Sequence, residues 1–215
     1  MPVRGAILAA FVVSAAAAYD PALNPQAIDE AIAIGQSPIE SVRARFHAPY
    51  RVEVNRPPVD SLDLVTPFRR LELAAEERAR LGLARMRQVE AIAALAEHGG
   101  RLELFLELTF HPLNTYVGVP AYAITLARAG VSEPPAAPSA VQRIPRFGPR
   151  LASGPFPTPY PIPLQLPPAG QPLTGGIVLA AFDSARLDTR GRYEVVIEES
   201  GKELGRVPLD LARLR

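Results

Sequence analysis

The 215-residue chain is 48% hydrophobic, carries a formal charge of +1 and has neither cysteine nor tryptophan. Its length allows one good-sized domain with appendages, or two small domains. Balanced charge without a basic block argues against a nucleic-acid partner, and the missing cysteine excludes thiol catalysis, a disulfide framework and a lipid-bearing cysteine.

Residues 1–18 read as an export signal. "MPVR" is a short basic region, "GAILAAFVV" an apolar one, and "SAAAA" supplies the small residues of a cleavage site near Ala18. The apolar run is too short to span a bilayer comfortably, and no second long one follows. The expectation is a bacterial protein that is periplasmic or secreted, with no transmembrane segment after cleavage. Lys202 is the only lysine, which reads as the arginine bias of a GC-rich genome.

Residues 19–48 predict a helical N-terminal segment. In "NPQAIDEAIAIG", Asn24 suits the N-cap, Pro25 the first helical position and Gly35 the stop. In "SPIESVRARF", Ser37 and Glu40 have the spacing of a capping box, with Ile39, Val42 and Phe46 on one face.

Residues 49–215 predict a mainly β domain. Tyr50, Val52 and Val54 alternate with Arg51, Glu53 and Asn55, a short strand that Pro57-Pro58 ends. "SLDLVTPF" reads as a second strand, or as a helix start with Thr66 as cap and Pro67 first. About 72–98 is a helical insertion in composition, with Met86, Val89, Ala93 and Ala96 on one stripe and Gly82 a possible break. His98-Gly99-Gly100 ends it.

"RLELFLELTF" is the clearest strand. Leu102, Leu104, Leu106, Leu108 and Phe110 point one way; Arg101, Glu103, Glu107 and Thr109 point the other, with Phe105 the one exception. That predicts an antiparallel sheet with one face on a core and the other wet. "AYAITLARAG" follows as a strand with Tyr122, Ile124 and Leu126 on one side. Residues 134–172 hold more than half of the 24 prolines and predict an extended crossover of polyproline type. "GGIVLAAFD", "RYEVVIEES" and "KELGRVPLDL" return to strands, parted by turns at 188–191 and 200–201.

No helices alternate with the late strands, so a parallel sheet is not expected. The predicted class is α+β: an antiparallel β-sandwich with N-terminal helices, a helical insertion and a long proline-rich crossover. The late strands resemble immunoglobulin-like sandwiches in pattern, without their cysteine and tryptophan marks.

Signatures of chemistry are sparse. "FHPLNTYVGVPAY" reads first as a strand-to-strand corner; as a binding rim it offers His111, Asn114, Tyr116 and Tyr122. His47, His98 and His111 lack metal-ligand spacing, although Asp60 and Asp63 could add carboxylates in space. A positive charge on His98 suits a helix C-terminus. No Gly-x-Ser-x-Gly elbow or Ser-x-x-Lys is present, and Gly99-Gly100 and Gly175-Gly176 are bare pairs without a phosphate-loop pattern. Asp183, Asp188 and Glu194 match no calcium run. Phe147, Phe156 and Tyr160 in the proline-rich segment could serve for carbohydrate stacking, although tryptophan, the best residue for it, is absent.

The proline-rich segment is the favoured partner contact, through Phe156, Tyr160, Ile162 and Leu164; the bland alternative is a strap packed on the protein's own sheet. No catalytic residue, metal ligand or cofactor is assigned. The expected function is a non-catalytic interaction or structural protein of the cell envelope, partnered by another envelope protein. The alternative is a secreted hydrolase or a small-ligand or carbohydrate-binding β domain whose site assembles in space.

Overall fold

A computed structural model describes residues 19–148 and 171–215. Helices and two antiparallel sheets make a mixed α+β fold.

Helix α1 spans Pro25–Gly35, with the Asn24 side chain accepting from the Ala27 N–H and Pro25 in the first turn. Such a cap is worth about 1 kcal/mol. Gly35 does more than end the helix: a Cβ there would run into the Glu72 carbonyl and lie 2.9 Å from the Ala75 Cβ. Helix α2 spans Glu40–His47. The capping box expected at Ser37 and Glu40 does not form, because the Ser37 hydroxyl bonds the Ile39 N–H and the helix starts later. Of the expected apolar face only Phe46 packs; Ile39 and Val42 are exposed.

Strands β1 (Arg51–Arg56) and β2 (Val59–Val65) form a hairpin across Pro57-Pro58. Thr66 then caps α3, Pro67–Arg80, its side chain accepting from the Arg69 N–H. "SLDLVTPF" is thus strand first and helix start second. Gly82, at φ +67°, ends α3 where an L-residue would be strained. Helix α4 follows over Gln88–His98, closed by left-handed Gly99. Its stripe lies differently from expectation: Met86 is buried, but Val89, Ala93 and Ala96 face outward, and Ala91 packs instead. Ile28, Ala31, Ile32, Phe68, Leu71 and Ala75 form the rest of this helical core.

Strand β3 spans Leu102–Thr109, β4 Tyr122–Arg128, β5 Ala140–Phe147, β6 Leu173–Phe182, β7 Arg192–Glu199 and β8 Lys202–Asp210. One sheet has the order β1-β2-β3-β6-β5, the other β4-β7-β8. The leucines of β3 meet Ile124, Leu126, Val195, Ile197, Val207 and Leu209 of the smaller sheet in one core.

Two expectations change here. Eight residues of the proline-rich stretch are not a crossover but β5, an edge strand where Pro145 need not donate to a further neighbour. The charged face of β3 is not wet. Glu103 is buried in an ion pair with Arg70 of α3, and Phe105 joins Val65 and Leu73 in a small outer cluster. Helix α3 covers the Glu103–Phe105 end of this face, where a charge must pair to be buried, while Glu107 and Thr109 beyond it are half-buried.

Candidate functional site

Between β3 and β4 the chain makes a loop held by its own polar groups. Asn114 Nδ2 donates to the carbonyls of His111 (2.8 Å) and Leu173 (3.0 Å), while its Oδ1 accepts from the Tyr116 N–H. His111 Nδ1 accepts from the Leu113 N–H at 3.1 Å, so this imidazole serves the turn. The Tyr116 ring packs edge-on against Phe110, centroids 5.0 Å apart. On this frame Leu113 is 83% exposed and Val117 99%.

Of the four rim residues read from the sequence, the loop brings together His111, Asn114 and Tyr116. Tyr122 is buried in β4, near enough to Tyr116 for the two to interact electrostatically, and burial, then the Glu199 carboxylate, raises its hydroxyl pKa well above the usual phenol range. Leu113 and Val117 are the residues sequence reasoning missed; two aliphatics inside a polar turn were the available signal. Phe156, Tyr160, Ile162 and Leu164 lie outside the described residues, as does the export signal at 1–18. Phe147 packs against the core.

A second cluster forms where α2 meets α3. His47 ends α2, and Glu72 and Glu76 stand one helical turn apart on α3. The imidazole Nε2 lies 3.2 Å from a carboxylate oxygen of each, and one N–H cannot be aligned on both. Glu72 Oε1 meets no hydrogen-bond donor among the described residues. Arg43 Nε is 2.9 Å from Glu76 Oε1, and Arg69 Nε lies 3.4 Å from His47 Nδ1.

Burial alone would lower the pKa of His47, but the two carboxylates outweigh it and the net shift is upward. Burial raises that of Glu72 against the pull of His47. The hydrogen bond from His47 lowers that of Glu76.

One nitrogen and two carboxylates at these distances make a possible cation-binding set. The donor chemistry does not fit. The N–H of Arg69 points at Nδ1, so the neutral imidazole carries its proton on Nε2, the atom a metal would need. Metal-bound histidines turn Nδ1–H toward an acceptor, whereas this one faces a guanidinium.

The chain matches no protein-family model, no curated protein and no solved structure.

Several other charges are also committed to structure. Asp63 accepts from Arg51 and Arg69, and Glu107 from Arg51, Ser61 and Arg146. Asp60 accepts from the Thr109 hydroxyl. Asp183 caps a short turn, Asp188 pairs with Arg128, and Glu194 pairs with Arg206. Burial, with Arg70 next, lowers the pKa of His98, against the positive charge expected there.

A cleft of about 520 Å³ opens between the sheets, floored by Val52, Leu64, Tyr193 and Leu209. At its rim Arg192 and Arg213 share one carboxylate, Asp210, at 3.6 and 3.3 Å.

Proposed function

We propose that the chain is an exported, non-catalytic interaction protein of the bacterial cell envelope, built on a sandwich of immunoglobulin-like pattern. Two features support the pattern. Without β1, the order β2-β3-β6-β5 against β4-β7-β8 follows strands A, B, E, D against C, F, G of constant-type immunoglobulin domains. The hydroxyl of Tyr193, at the start of β7, accepts from the Asp188 N–H at 2.7 Å, as in a tyrosine corner. Fold alone does not assign function.

The loop tip carries the functional reading. Leu113 and Val117 stand in water on a loop whose backbone is already fixed by Asn114. Exposed aliphatics on a pre-organised loop suit contact with a partner, because little further ordering is lost on docking. The envelope partner meets this tip, with Tyr116 at its edge. Site-specific photo-cross-linking from position 117 in intact cells tests the reading.

The cleft between the sheets favours a second reading, a small-ligand-binding β domain. Its volume is in the range of small-molecule sites. Soaking with a panel of fatty acids and reading thermal shifts separates the two readings.

A further inference from the structure

The helical layer carries an exposed surface that neither reading above uses. Leu81, Leu83, Val89 and Ile92 are each more than half exposed, although they lie within twelve residues of sequence. Val89 and Ile92 lead the outward stripe of α4 that Ala93 and Ala96 complete. Leu81 and Leu83 flank Gly82 in the turn between α3 and α4, and nothing lies within 4 Å of a Cβ built there. Among the described residues Gly82 therefore has open space around it, while Met86 farther along the turn anchors it to the helical core.

Charge on this surface has one dominant sign. From Arg78 to Ile92 there are four arginines and one glutamate. Arg80 and Arg87 are largely exposed and bridge to Glu77 and Glu90 at i,i+3 spacing. Arg85 is exposed and has no ion pair among the described residues. Exposed bridges of this kind exchange readily for another anion.

We propose that the α3–α4 turn docks on an anionic lipid surface. Leu81, Leu83, Val89 and Ile92 enter the boundary between headgroups and acyl chains, and Arg80, Arg85 and Arg87 bind lipid phosphates. Guanidinium forks match phosphate oxygens two at a time, and interleaved aliphatics supply the apolar part of interfacial binding. No helix among the described residues is long and apolar enough to cross a membrane, so this contact is peripheral. A second copy fits less well. Antiparallel pairing of two α4 stripes would bring Glu90 and Glu97, which share one edge of the helix, against the same pair in the other copy.

The test is co-sedimentation of the full chain, as purified from its cells, with vesicles. One set contains phosphatidylglycerol and phosphatidylcholine in equal parts, the other phosphatidylcholine alone. The double variants L83S/I92S and R85Q/R87Q run beside it; all four positions are exposed or open, and thermal unfolding checks that each variant is folded. Any contribution from residues 1–18 is common to all samples. Binding to the anionic vesicles is expected to exceed binding to the neutral ones by about tenfold or more, and each variant to lose about that factor. Equal binding to both vesicles, or binding that neither variant weakens, overturns the proposal. So does concentration-dependent self-association that L83S/I92S abolishes, which would give the surface to a second copy. The loop at 111–121 is untouched, so failure here leaves the envelope-partner reading standing.

Discussion

Arg146 on β5 reaches Glu107 on β3, 3.1 Å from Nη1 to Oε1, by crossing the intervening strand β6 over Gly175. The same guanidinium donates to the Leu108 carbonyl at 2.8 Å. Glu107 also accepts from Arg51 and Ser61, so one carboxylate links β1, β2, β3 and β5 across the outer face of the sheet. The glycine is what leaves room for this bridge.

Gly175→Ala therefore strikes backbone and bridge together. Its Cβ would run into the Leu108 carbonyl and come within 2.6 Å of Arg146 Nη2. The expected loss is roughly 2–3 kcal/mol, of the size found for overpacked interiors. Urea midpoints of the variant and the parent measure it. A loss no larger than that of an exposed alanine substitution would mean that β6 can shift to make room.

The tyrosine corner makes a smaller prediction. Tyr193→Phe keeps the ring in the core but leaves the Asp188 N–H without its hydroxyl acceptor. About 1 kcal/mol of stability should go, and amide exchange should quicken at 187–191. Unchanged exchange there would show that the connection between β6 and β7 is held by other contacts.

The His47 cluster predicts how stability varies with pH. A raised histidine pKa stabilises the fold fully below its ordinary value of 6.5, and that gain is lost as pH rises through the higher folded value. Glu76 acts in the opposite sense, contributing above its ordinary 4.5 and losing that contribution as pH falls through the lowered value. Glu72, raised by burial, opposes Glu76 and costs stability once it must ionise. Facing this group are Glu72, Glu76 and Arg69 from α3 and Arg43 from α2. Stability should thus fall from weakly acidic to alkaline pH, and His47→Gln should flatten that fall. Urea midpoints at a series of pH values read it directly; an equal slope in both proteins would contradict the assignment.

Much of the β framework is legible in the sequence because it is local. The alternation of Leu102 to Phe110, the Thr66-Pro67 start of α3 and the 200–201 turn each depend on neighbours in the chain. What escaped depends on partners far away. Strand β5 hid in proline-rich composition, since an edge position that tolerates Pro145 is a property of the sheet. Glu72 and Glu76 show their helical spacing, but His47 comes from another helix and no local motif announces it. The stripe at Val89, Ala93 and Ala96 reports an apolar face and says nothing of what covers it, which is why it pointed outward. Asn114 and Tyr116 were readable as polar groups at a corner, whereas the exposure of Leu113 and Val117 follows from how the loop is pinned.

That pinning is itself testable. Asn114→Ala removes both side-chain donations and the acceptor for the Tyr116 N–H. The loop lies at the surface, so global stability should fall by no more than about 1 kcal/mol. Limited proteolysis should instead speed up markedly between 111 and 117. An unchanged cleavage rate would mean that the Tyr116–Phe110 contact alone holds the loop.

The most direct test of the envelope-contact account is photo-cross-linking from position 117 in intact cells, with position 203 of β8 as an exposed control and Leu113→Ser as a second background. The account predicts one adduct of discrete mass from position 117, absent from position 203 and strongly reduced by Leu113→Ser. No adduct from 117, or the same adducts from both positions, would contradict it.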